Sequence, residues 1–351
     1  MPKGKFGIAL LAAAATAAAA LLSPALAQAD DGDKDAGIIG TIHTGVDSAA
    51  ASTQETDITE GLVLIDTVVG YDEGAAAGTG LVLTASGIVI TNHHVVAGST
   101  VVSATDPATG QTYDADVLGY DTTQDVAVLQ LVDASGLPTI TVSPQPVSSG
   151  ASITAVGNAA GGGQLVTVDG QVTDTGMTVT VTDDNGSSKS TLTNLVGTTA
   201  ALVPGDSGGA MFDNTSRVIA MNVAGSANSH RPAGYGIPIV TALKVANAVV
   251  TGQPNATVTL GRTGGLGIVV SKTSSGAPRI LQVVPGGAAK KAGITSGSTL
   301  TSLDGVALTS ADQLTSVLSQ HKPGDKVQAD WRDRNGRSHT ATVTLGVAPL
   351  A

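Results

Sequence analysis

Short runs of β-branched and aliphatic residues dominate the chain from Gly61 to about residue 240, and Gly, Asp or Asn separates each run from the next. The runs occupy 62–69, 80–83, 88–91, 125–132, 152–156, 165–168 and 177–182. Many short strands divided by turn residues, without a helical repeat, predict an all-β barrel or sandwich. Asp184-Asn185-Gly186 between two Thr/Val runs predicts a hairpin.

The pattern changes near Val240, where an Ala-rich stretch predicts a helix over 240–250 that Gly252-Gln253-Pro254 ends. Beyond it, strands are predicted at 267–270 and 280–284, a helix at 310–320, and a hairpin around Asn335-Gly336. This mixture predicts a small α+β module. We therefore predict a first domain over 59–250, a linker over 251–261 and a second domain over 262–347.

The amino-terminal 27 residues have the features of a secretory signal peptide. Lys3 and Lys5 precede an apolar run over 8–22, and Ala25-Leu26-Ala27 provides the small residues of a cleavage site. An uncleaved anchor is the alternative, although 15 apolar residues are short for a bilayer that needs about 20. Residues 28–58 are rich in Asp, Gly, Ala and Thr and predict a flexible acidic leader. The sequence thus predicts an exported protein without stable membrane insertion after cleavage.

Composition excludes several classes of function. The chain has no Cys, which rules out thiol nucleophiles, disulfides and Cys-ligated metals. A net charge of −11, with one Trp, four Tyr and two Phe, argues against nucleic-acid binding. No His-x-x-x-His or His/Asp cluster indicates a metal site, so we expect neither metal nor cofactor.

Three sequence segments could form a nucleophilic catalytic site. His93 and His94 end a β run, and a His is the usual general base near neutral pH. Gly205-Asp206-Ser207-Gly208-Gly209 places a serine between glycines, where backbone amides can turn toward a substrate carbonyl. Asp125 opens a predicted strand and is the better candidate for the orienting carboxylate; Asp121, in the preceding loop, is the poorer one. The residues alone do not choose between the two histidines.

The chain resembles trypsin-fold proteases of the HtrA/Deg type, most closely secreted actinobacterial members with a single PDZ domain. The resemblance spans about 60–347 and rests on Gly78-Thr79-Gly80, Thr91-Asn92-His93-His94-Val95-Val96, Gln124-Asp125-Val126-Ala127-Val128-Leu129, Pro204-Gly205-Asp206-Ser207-Gly208-Gly209 and Tyr235-Gly236-Ile237-Pro238. It implies two six-stranded antiparallel barrels followed by a PDZ domain.

The same resemblance implies a role for each catalytic position. His94 is then the general base, Asp125 the orienting acid and Ser207 the nucleophile, with the amides of Gly205 and Ser207 as oxyanion donors. His93 falls to a surface or packing role.

The chain departs from its relatives beside the nucleophile. Val203 and Asp206 stand where many relatives have Asn. Digestive trypsin-fold enzymes pair the residue at the place of Asp206 with a new amino terminus, for which Ile38-Ile39-Gly40 is a candidate here. The alternatives are a Lys or Arg partner, or backbone amides. Relatives often trimerise through aromatic residues near the start of the protease domain, where this chain has only Tyr71, so the oligomeric state stays open.

Substrate preference is read from the predicted specificity pocket. Ala201 and Leu202 stand where a pocket for basic side chains carries an Asp, and alignment to the family places Met221, Asn222 and Val223 at the pocket wall. A buried carboxylate for Lys or Arg is missing. We predict small or medium apolar residues on the amino side of the cleaved bond.

The second domain resembles a peptide reader. Gly264-Gly265-Leu266-Gly267-Ile268 is similar to the carboxylate-binding loop of PDZ domains, where amides bind a peptide's terminal carboxylate. Residues 284–294, followed by Leu303-Asp304-Gly305, resemble the PDZ segment with a short helix. Leu314 and Leu318 face either the peptide groove or the core.

These features predict an exported serine endopeptidase that cuts unfolded or surface proteins and whose PDZ domain binds carboxyl-terminal peptides. The alternative is a peptide-binding, chaperone-like protein with weak or conditional proteolysis.

Overall fold

The structure is a computed structural model that describes residues 58–71, 74–143, 145–182, 189–223, 234–253, 256–271 and 276–351. The predicted signal peptide, nearly all of the acidic leader and the hairpin turn Asp184-Asn185-Gly186 lie outside these residues. All described residues belong to one compact unit.

Six antiparallel strands form a first closed ring. They are β1 (Leu62–Val69), β2 (Gly74–Val82), β3 (Ile88–Thr91), β4 (Ser99–Thr105), β5 (Thr112–Asp121) and β6 (Val126–Leu131). The ring order is β1-β2-β3-β6-β5-β4, and β4 pairs back onto β1. A short helix, α1 (His93–Val96), follows β3 directly. Apolar residues such as Ile65, Val89 and Leu129 fill the interior.

A second closed barrel follows. Its strands are β7 (Ser152–Gly157), β8 (Val166–Thr182), β9 (Lys189–Thr198), β10 (Ala210–Phe212), β11 (Val218–Val223) and β12 (Gly234–Pro238). Their order is β10-β11-β12-β9-β8-β7. The predicted runs 165–168 and 177–182 are parts of one strand, β8, whose register with β9 shifts between Val172 and Val179. Gly170 does not end the first run; it lies so close to β9's continuation that a Cβ would be 2.6 Å from the Ala200 nitrogen.

Helix α2 (Ile239–Val250) packs its buried face, including Ala242 and Ala246, onto a cluster with residues of both barrels. Leu81 and Val128 of the first barrel and Met221 of the second belong to this cluster. The predicted architecture of two six-stranded barrels is confirmed.

Part of the predicted linker is a strand. β13 (Val258–Leu260) pairs antiparallel with β5, so that Val258 lies opposite Asp121. Its Val-Thr-Leu sequence suits a strand, because β-branched residues fit an extended backbone. Gly119 permits the close approach, since a Cβ there would be 2.6 Å from the Thr259 carbonyl oxygen. The chain therefore passes along the first barrel before it enters the second domain.

The second domain has mixed α and β structure. Its elements are β14 (Gly264–Gly265), β15 (Ile268–Val270), β16 (Ile280–Val283), α3 (Ala288–Lys291), β17 (Thr299–Leu303), β18 (Val306–Ala307), α4 (Ala311–Leu318), β19 (Lys326–Arg332), β20 (Ser338–Thr344) and β21 (Gly346–Val347). Ser310 caps α4, because its Oγ accepts a hydrogen bond from the Gln313 nitrogen at 3.1 Å. Trp331 and Leu300 lie in the core. Across the described ranges, no helix is long and apolar enough to cross a membrane.

Candidate active site

A histidine and an aspartate meet at the rim of the first barrel. The His94 Nδ1 atom lies 2.8 Å from Asp125 Oδ2, and the His94 backbone nitrogen donates to Asp125 Oδ1 at 2.9 Å. The Asp125 side chain is nearly buried, whereas that of His94 is about half exposed. A carboxylate on Nδ1 favours the tautomer with the proton on that atom, which leaves Nε2 available as a base.

The backbone of Asp125 also contacts the histidine segment. Its φ is +54°, a left-handed conformation that Asp tolerates better than most residues. Its carbonyl oxygen accepts bonds from the His93 nitrogen and the Asn92 Nδ2, both at 3.1 Å. The turn before β6 is thereby fastened to the start of α1, so the imidazole and the carboxylate are held together from both sides.

Asp121, the poorer sequence candidate, shapes the turn that leads to Asp125. Its Oδ1 accepts hydrogen bonds from Thr123 and from the Gln124 nitrogen, and its Oδ2 accepts one from Thr257 at 2.6 Å. Burial raises the pKa of this carboxyl, but the hydrogen bonds, first that of Thr257, outweigh burial and hold the pKa below its usual range.

His93 has a different environment from its neighbour. Its ring stacks on Tyr120 with ring centroids 4.9 Å apart, and its Nε2 lies 2.7 Å from a main-chain oxygen of Ala351. Burial lowers the pKa of His93, and the hydrogen bond with Ala351 opposes that shift. The structure thus places His94, and not His93, on Asp125.

Glycines make the turn around Ser207 possible. Gly205 has a φ of +98°, and a Cβ there would be 2.1 Å from the Asn158 carbonyl oxygen. Gly208 has a φ of +83°, and a Cβ there would be 2.0 Å from the Thr79 carbonyl oxygen. Both positions combine a left-handed backbone with a close approach to other backbone, which only glycine permits.

Main-chain bonds fasten this turn to β11. The Gly208 nitrogen donates to the Asn222 carbonyl oxygen at 3.0 Å, and the Asn222 nitrogen donates to Gly209 at 2.8 Å. Ser207 is only 3% exposed. Within the part of the chain that the structure describes, no hydrogen bond occupies the Gly205 amide nitrogen. The role of Gly205 as an oxyanion donor stays a prediction.

Asp206 lies buried beneath the turn. Its Oδ2 accepts a hydrogen bond from the Val203 nitrogen at 2.9 Å. Burial raises the pKa of Asp206, and this hydrogen bond opposes the shift. Among the described residues no Lys or Arg forms an ion pair with Asp206. Of the alternatives, the backbone amide is the partner that the structure has; Ile38-Ile39-Gly40 lies outside the described residues.

Thr79 connects the serine turn to the histidine segment, a role that the sequence did not reveal. Its Oγ1 donates to the Gly205 carbonyl oxygen and its nitrogen donates to the Ser207 carbonyl oxygen, both at 2.9 Å. Its Oγ1 also accepts a bond from the Asn158 nitrogen at 2.9 Å. Thr91 Oγ1, three residues before His94, donates to the Thr79 carbonyl oxygen at 2.7 Å. Only the matching segment Gly78-Thr79-Gly80 pointed to this position.

The residues predicted for the specificity pocket are spread between surface and interior. Ala201 is exposed, whereas Met221, Asn222 and Val223 are buried. The Asn222 amide nitrogen donates to the carbonyl oxygens of Val156 and Ala210, each at 3.1 Å. Residues 224–233 lie outside the described residues. The assignment of the pocket therefore stays a prediction.

The predicted carboxylate-binding loop of the second domain is held by its carbonyl groups. The Leu266 oxygen accepts from the Ala289 nitrogen at 2.8 Å, and the Gly267 oxygen accepts from the Val284 nitrogen at 2.9 Å. Leu266 is buried, and Gly267 has a φ of +68°. Ile268 begins β15. Of the predicted groove residues on α4, Leu314 is buried in the domain core and Leu318 is half buried against it.

Tyr71, from the first barrel, lies at this loop. Its hydroxyl donates to the Val347 carbonyl oxygen at 3.3 Å. Burial raises the pKa of Tyr71, and a hydrogen bond with the Gly267 backbone opposes the shift. A cavity of about 360 Å³ opens beside it. Its lining includes Tyr71, Thr100, Gly267, Gly287 and Lys291.

Among the described residues, no group of three or more His, Asp or Glu side chains is arranged to hold a metal ion.

Comparison with known proteins finds a family match for each of the two domains. Residues 78–221 match the trypsin-like peptidase domain, and residues 264–345 match the PDZ domain. Serine protease PepD of Mycobacterium tuberculosis is 30% identical over 308 residues, which cover 82% of this chain and 64% of that protein. The periplasmic pH-dependent serine endoprotease DegQ of Escherichia coli is 30% identical over 281 residues, 76% of this chain and 59% of DegQ.

This chain covers a larger share of a shorter relative. The serine protease Do-like HtrA of Lactococcus lactis subsp. cremoris is 29% identical over 292 residues, 77% of this chain and 71% of that protein. Among solved structures, HtrA-type protease AlgW with tripeptide aligns over 84% of this chain and 95% of its own, with a TM-score of 0.47 and 22% identity. The chain spans about three fifths of the length of PepD and DegQ. It has a trypsin-like peptidase domain followed by a PDZ domain, with HtrA-type serine proteases among its relatives.

Proposed function

We propose that this protein is a serine endopeptidase that hydrolyses peptide bonds of unfolded or surface-exposed proteins. The observation that carries the proposal is the His94–Asp125 pair, at 2.8 Å, in a barrel joined through Thr79 to the glycine-flanked turn of Ser207. The chain spans only part of its longer relatives, so the residues of this chain, rather than the activities of those proteins, support this function.

The chemistry proceeds through an acyl-enzyme. Ser207 Oγ attacks the carbonyl carbon of the scissile bond while His94 Nε2 takes its proton, and Asp125 stabilises the resulting imidazolium. The Gly205 and Ser207 amides donate to the developing oxyanion. His94 then returns the proton to the leaving amine as the carbon–nitrogen bond breaks. Water, activated by His94, hydrolyses the ester and frees Ser207. No cofactor is needed.

The PDZ domain supplies the second part of the proposal. Peptides with a free carboxyl terminus would bind at Gly265, Leu266, Gly267 and Ile268, with Leu318 on the helix side of the groove. Tyr71 lies at the same loop, so a bound carboxylate would replace the contact of its hydroxyl with the Gly267 backbone. Peptide binding to the PDZ domain would thus change a contact of the first barrel. The PDZ domain could in this way regulate the protease domain, or recruit substrates to it.

Export and substrate preference complete the proposal. Residues 1–27 act as a signal peptide, which agrees with the periplasmic location in the name of DegQ. Without a carboxylate at the place of Ala201, the enzyme would favour small or medium apolar residues before the cleaved bond. Better cleavage after Lys than after Val or Ala in matched peptides would exclude that preference.

Casein digestion tests the activity. The chain from residue 28 onward is compared with its Ser207→Ala variant, each with and without peptides that end in an apolar residue. We expect cleavage only with Ser207, and faster cleavage with peptide. If neither protein cuts under any condition while both suppress aggregation of a denatured protein, the chaperone-like alternative replaces the protease.

A further inference from the structure

The last residues of the chain leave the PDZ domain and return to the first barrel. β21 pairs with β14, and the Ala348 nitrogen donates to the Thr263 carbonyl oxygen at 3.1 Å. The backbone of Leu350 then both donates a hydrogen bond to the first barrel and accepts one from it. Its nitrogen donates to the Ser99 carbonyl oxygen at 3.0 Å, and its own oxygen accepts from the Gly98 nitrogen at 2.8 Å.

The Leu350 side chain is held as a core residue. It is only 5% exposed and belongs to the buried cluster of the first barrel, together with Val96, Val102 and Tyr120. Leu350 follows Val347, the last residue of the β14–β21 pair, by three positions. A residue so placed would ordinarily be loosely held, because the ends of domains lack fixed contacts. Here a main-chain pair and an apolar pocket combine, which is how peptide-binding surfaces hold an extended ligand.

Two further side chains complete the contact. The His93 Nε2 lies 2.7 Å from a main-chain oxygen of Ala351, and the His93 ring is fixed by its stacking on Tyr120. Arg262 Nη1 donates to the Ser99 carbonyl oxygen at 2.6 Å and Nη2 to Ser99 Oγ at 3.1 Å. The acceptor of the Leu350 nitrogen is therefore itself positioned by a cation.

The ligand segment has a sequence suited to such a site. Pro349 has no N–H group to leave unpaired, and its ring restricts φ. It also biases Ala348 toward an extended backbone. A segment that is already extended loses less conformational entropy when it binds.

We propose that the first barrel carries a peptide-binding site, formed by His93, Gly98 and Ser99, that is separate from the catalytic turn and from the PDZ loop. We call it the tail site. Its ligand is the apolar segment 348–351 of this chain, with Leu350 as the anchoring side chain. The bound segment continues directly from β21, so the tail site fastens the last strand of the PDZ domain to the residue that precedes the catalytic His94.

Hydrogen exchange in a Ser207→Ala background tests the proposal, since no added peptide is then cut and the result is independent of proteolysis. Leu350→Asp is compared with Leu281→Asp, the same change at a PDZ residue that is 54% exposed. An Asp side chain cannot enter the apolar cluster that holds Leu350, so we expect the segment to detach and to remove its carbonyl oxygen from the Gly98 amide. The Gly98 amide should then exchange at least about tenfold faster in Leu350→Asp only.

Added peptide then tests whether the tail site binds a segment that is not covalently attached to the PDZ domain. A peptide of residues 345–351 should restore slow exchange of Gly98 in Leu350→Asp, and the same peptide with Asp at its leucine-350 position should not. In the parent chain the peptide should have little effect, because the tethered segment competes at high effective concentration. Leu350→Ala repeats the measurement with a milder change should Leu350→Asp unfold.

Three results would overturn the tail site. The first is an unchanged Gly98 amide in both Leu350 variants. The second is protection by peptide at residues 264–270 without protection at Gly98, which would place the peptide in the PDZ loop. The third is equal protection of the parent chain and of Leu350→Asp.

Discussion

The two halves of the candidate active site are held by different kinds of contact. On the histidine side, the Asp125 carboxylate itself bonds the His94 ring and backbone. On the serine side, the turn around Ser207 is fixed by main-chain bonds to Asn222 and by glycines that lie against Asn158 and Thr79. The histidine side therefore depends on the chemistry of one carboxylate, and the serine side depends on the absence of a Cβ at Gly205 and Gly208.

This difference separates two ways to damage catalysis. A substitution of the Asp125 side chain removes its negative charge or changes the tautomer of His94, and it leaves the backbone in place. A substitution on the serine side displaces backbone, because there is no room for an added atom. Thr79 connects the two halves, because its Oγ1 donates to the Gly205 carbonyl oxygen and its own carbonyl oxygen accepts a bond from Thr91 Oγ1.

Asp125→Asn tests the histidine side and should have the largest effect. An amide in place of the carboxylate would donate to Nδ1 and favour the tautomer that cannot act as base at Nε2. We expect kcat to fall by about 10⁴-fold with little change in KM. Steady-state kinetics on a chromogenic peptide measure this, with Ser207→Ala as the background. A loss below about tenfold would mean that Asp125 does not orient His94 in the working enzyme.

Gly205→Ala tests the serine side. The new methyl group would lie 2.1 Å from the Asn158 carbonyl oxygen, so the turn must shift and the oxyanion donors with it. We expect kcat/KM to fall by about 10²- to 10³-fold.

A matched control separates the clash from backbone strain. Gly150 also has a positive φ, +83°, but a Cβ there meets nothing within 4 Å. Gly150→Ala should therefore reduce stability slightly and leave activity near that of the parent. Equal kinetic losses in the two variants would refute the argument from close approach.

Thr79→Val and Thr79→Ser test the connection between the halves. Valine leaves the Gly205 carbonyl oxygen and the Asn158 nitrogen without a buried partner, at roughly 1–3 kcal/mol for each. We expect a kcat lower by about 10- to 100-fold, whereas serine, which keeps the hydroxyl, should retain most of the activity.

The affinity for a peptide boronate, which mimics the tetrahedral intermediate, distinguishes positioning from stability. It should fall in parallel with kcat in Thr79→Val. Urea unfolding of both variants gives the change in the free energy of unfolding. If Thr79→Val lowers only this free energy and not the boronate affinity, Thr79 is structural and does not position the turn.

Asp206→Asn should have the smallest effect, and its sign depends on pH. Burial raises the pKa of Asp206 above its ordinary 3.8, so the folded state holds the proton more tightly than the unfolded state. Its contribution to stability is therefore complete below that ordinary value and is lost as the pH rises through the folded pKa.

Asparagine can still accept the Val203 bond and never ionises. We expect Asp206→Asn to melt about 2–4 °C higher than the parent at pH 7, with the difference shrinking toward pH 4. Thermal unfolding between pH 4 and 7 measures this. If the melting temperatures of the two proteins changed in parallel with pH, ionisation of Asp206 would not lower the stability of the folded state.

Much of the fold was predictable because strands correspond to runs of apolar and β-branched residues that are visible in the local sequence. The predicted runs 62–69 and 88–91 coincide with β1 and β3, and the helix predicted at 240–250 begins one residue earlier. The sequence predicts two runs, 165–168 and 177–182, because residues such as Gly170 and Gly176 lie between them. In the structure β8 continues through both glycines, and Gly170 is required by the closeness of Ala200. A sequence alone does not distinguish a glycine that turns the chain from one that makes room.

The sequence by itself determined the chemistry available to this protein, because the absence of Cys and the glycine-flanked Ser207 are properties of neighbouring residues. It also determined the strands, since their apolar pattern is local. The tertiary structure decided which histidine meets Asp125, that Thr79 joins both halves of the site, and that Leu350 lies in the first barrel. The bonds behind those facts join residues as far apart in sequence as Gly98 and Leu350, which only the closing of the barrels and the return of the chain bring together.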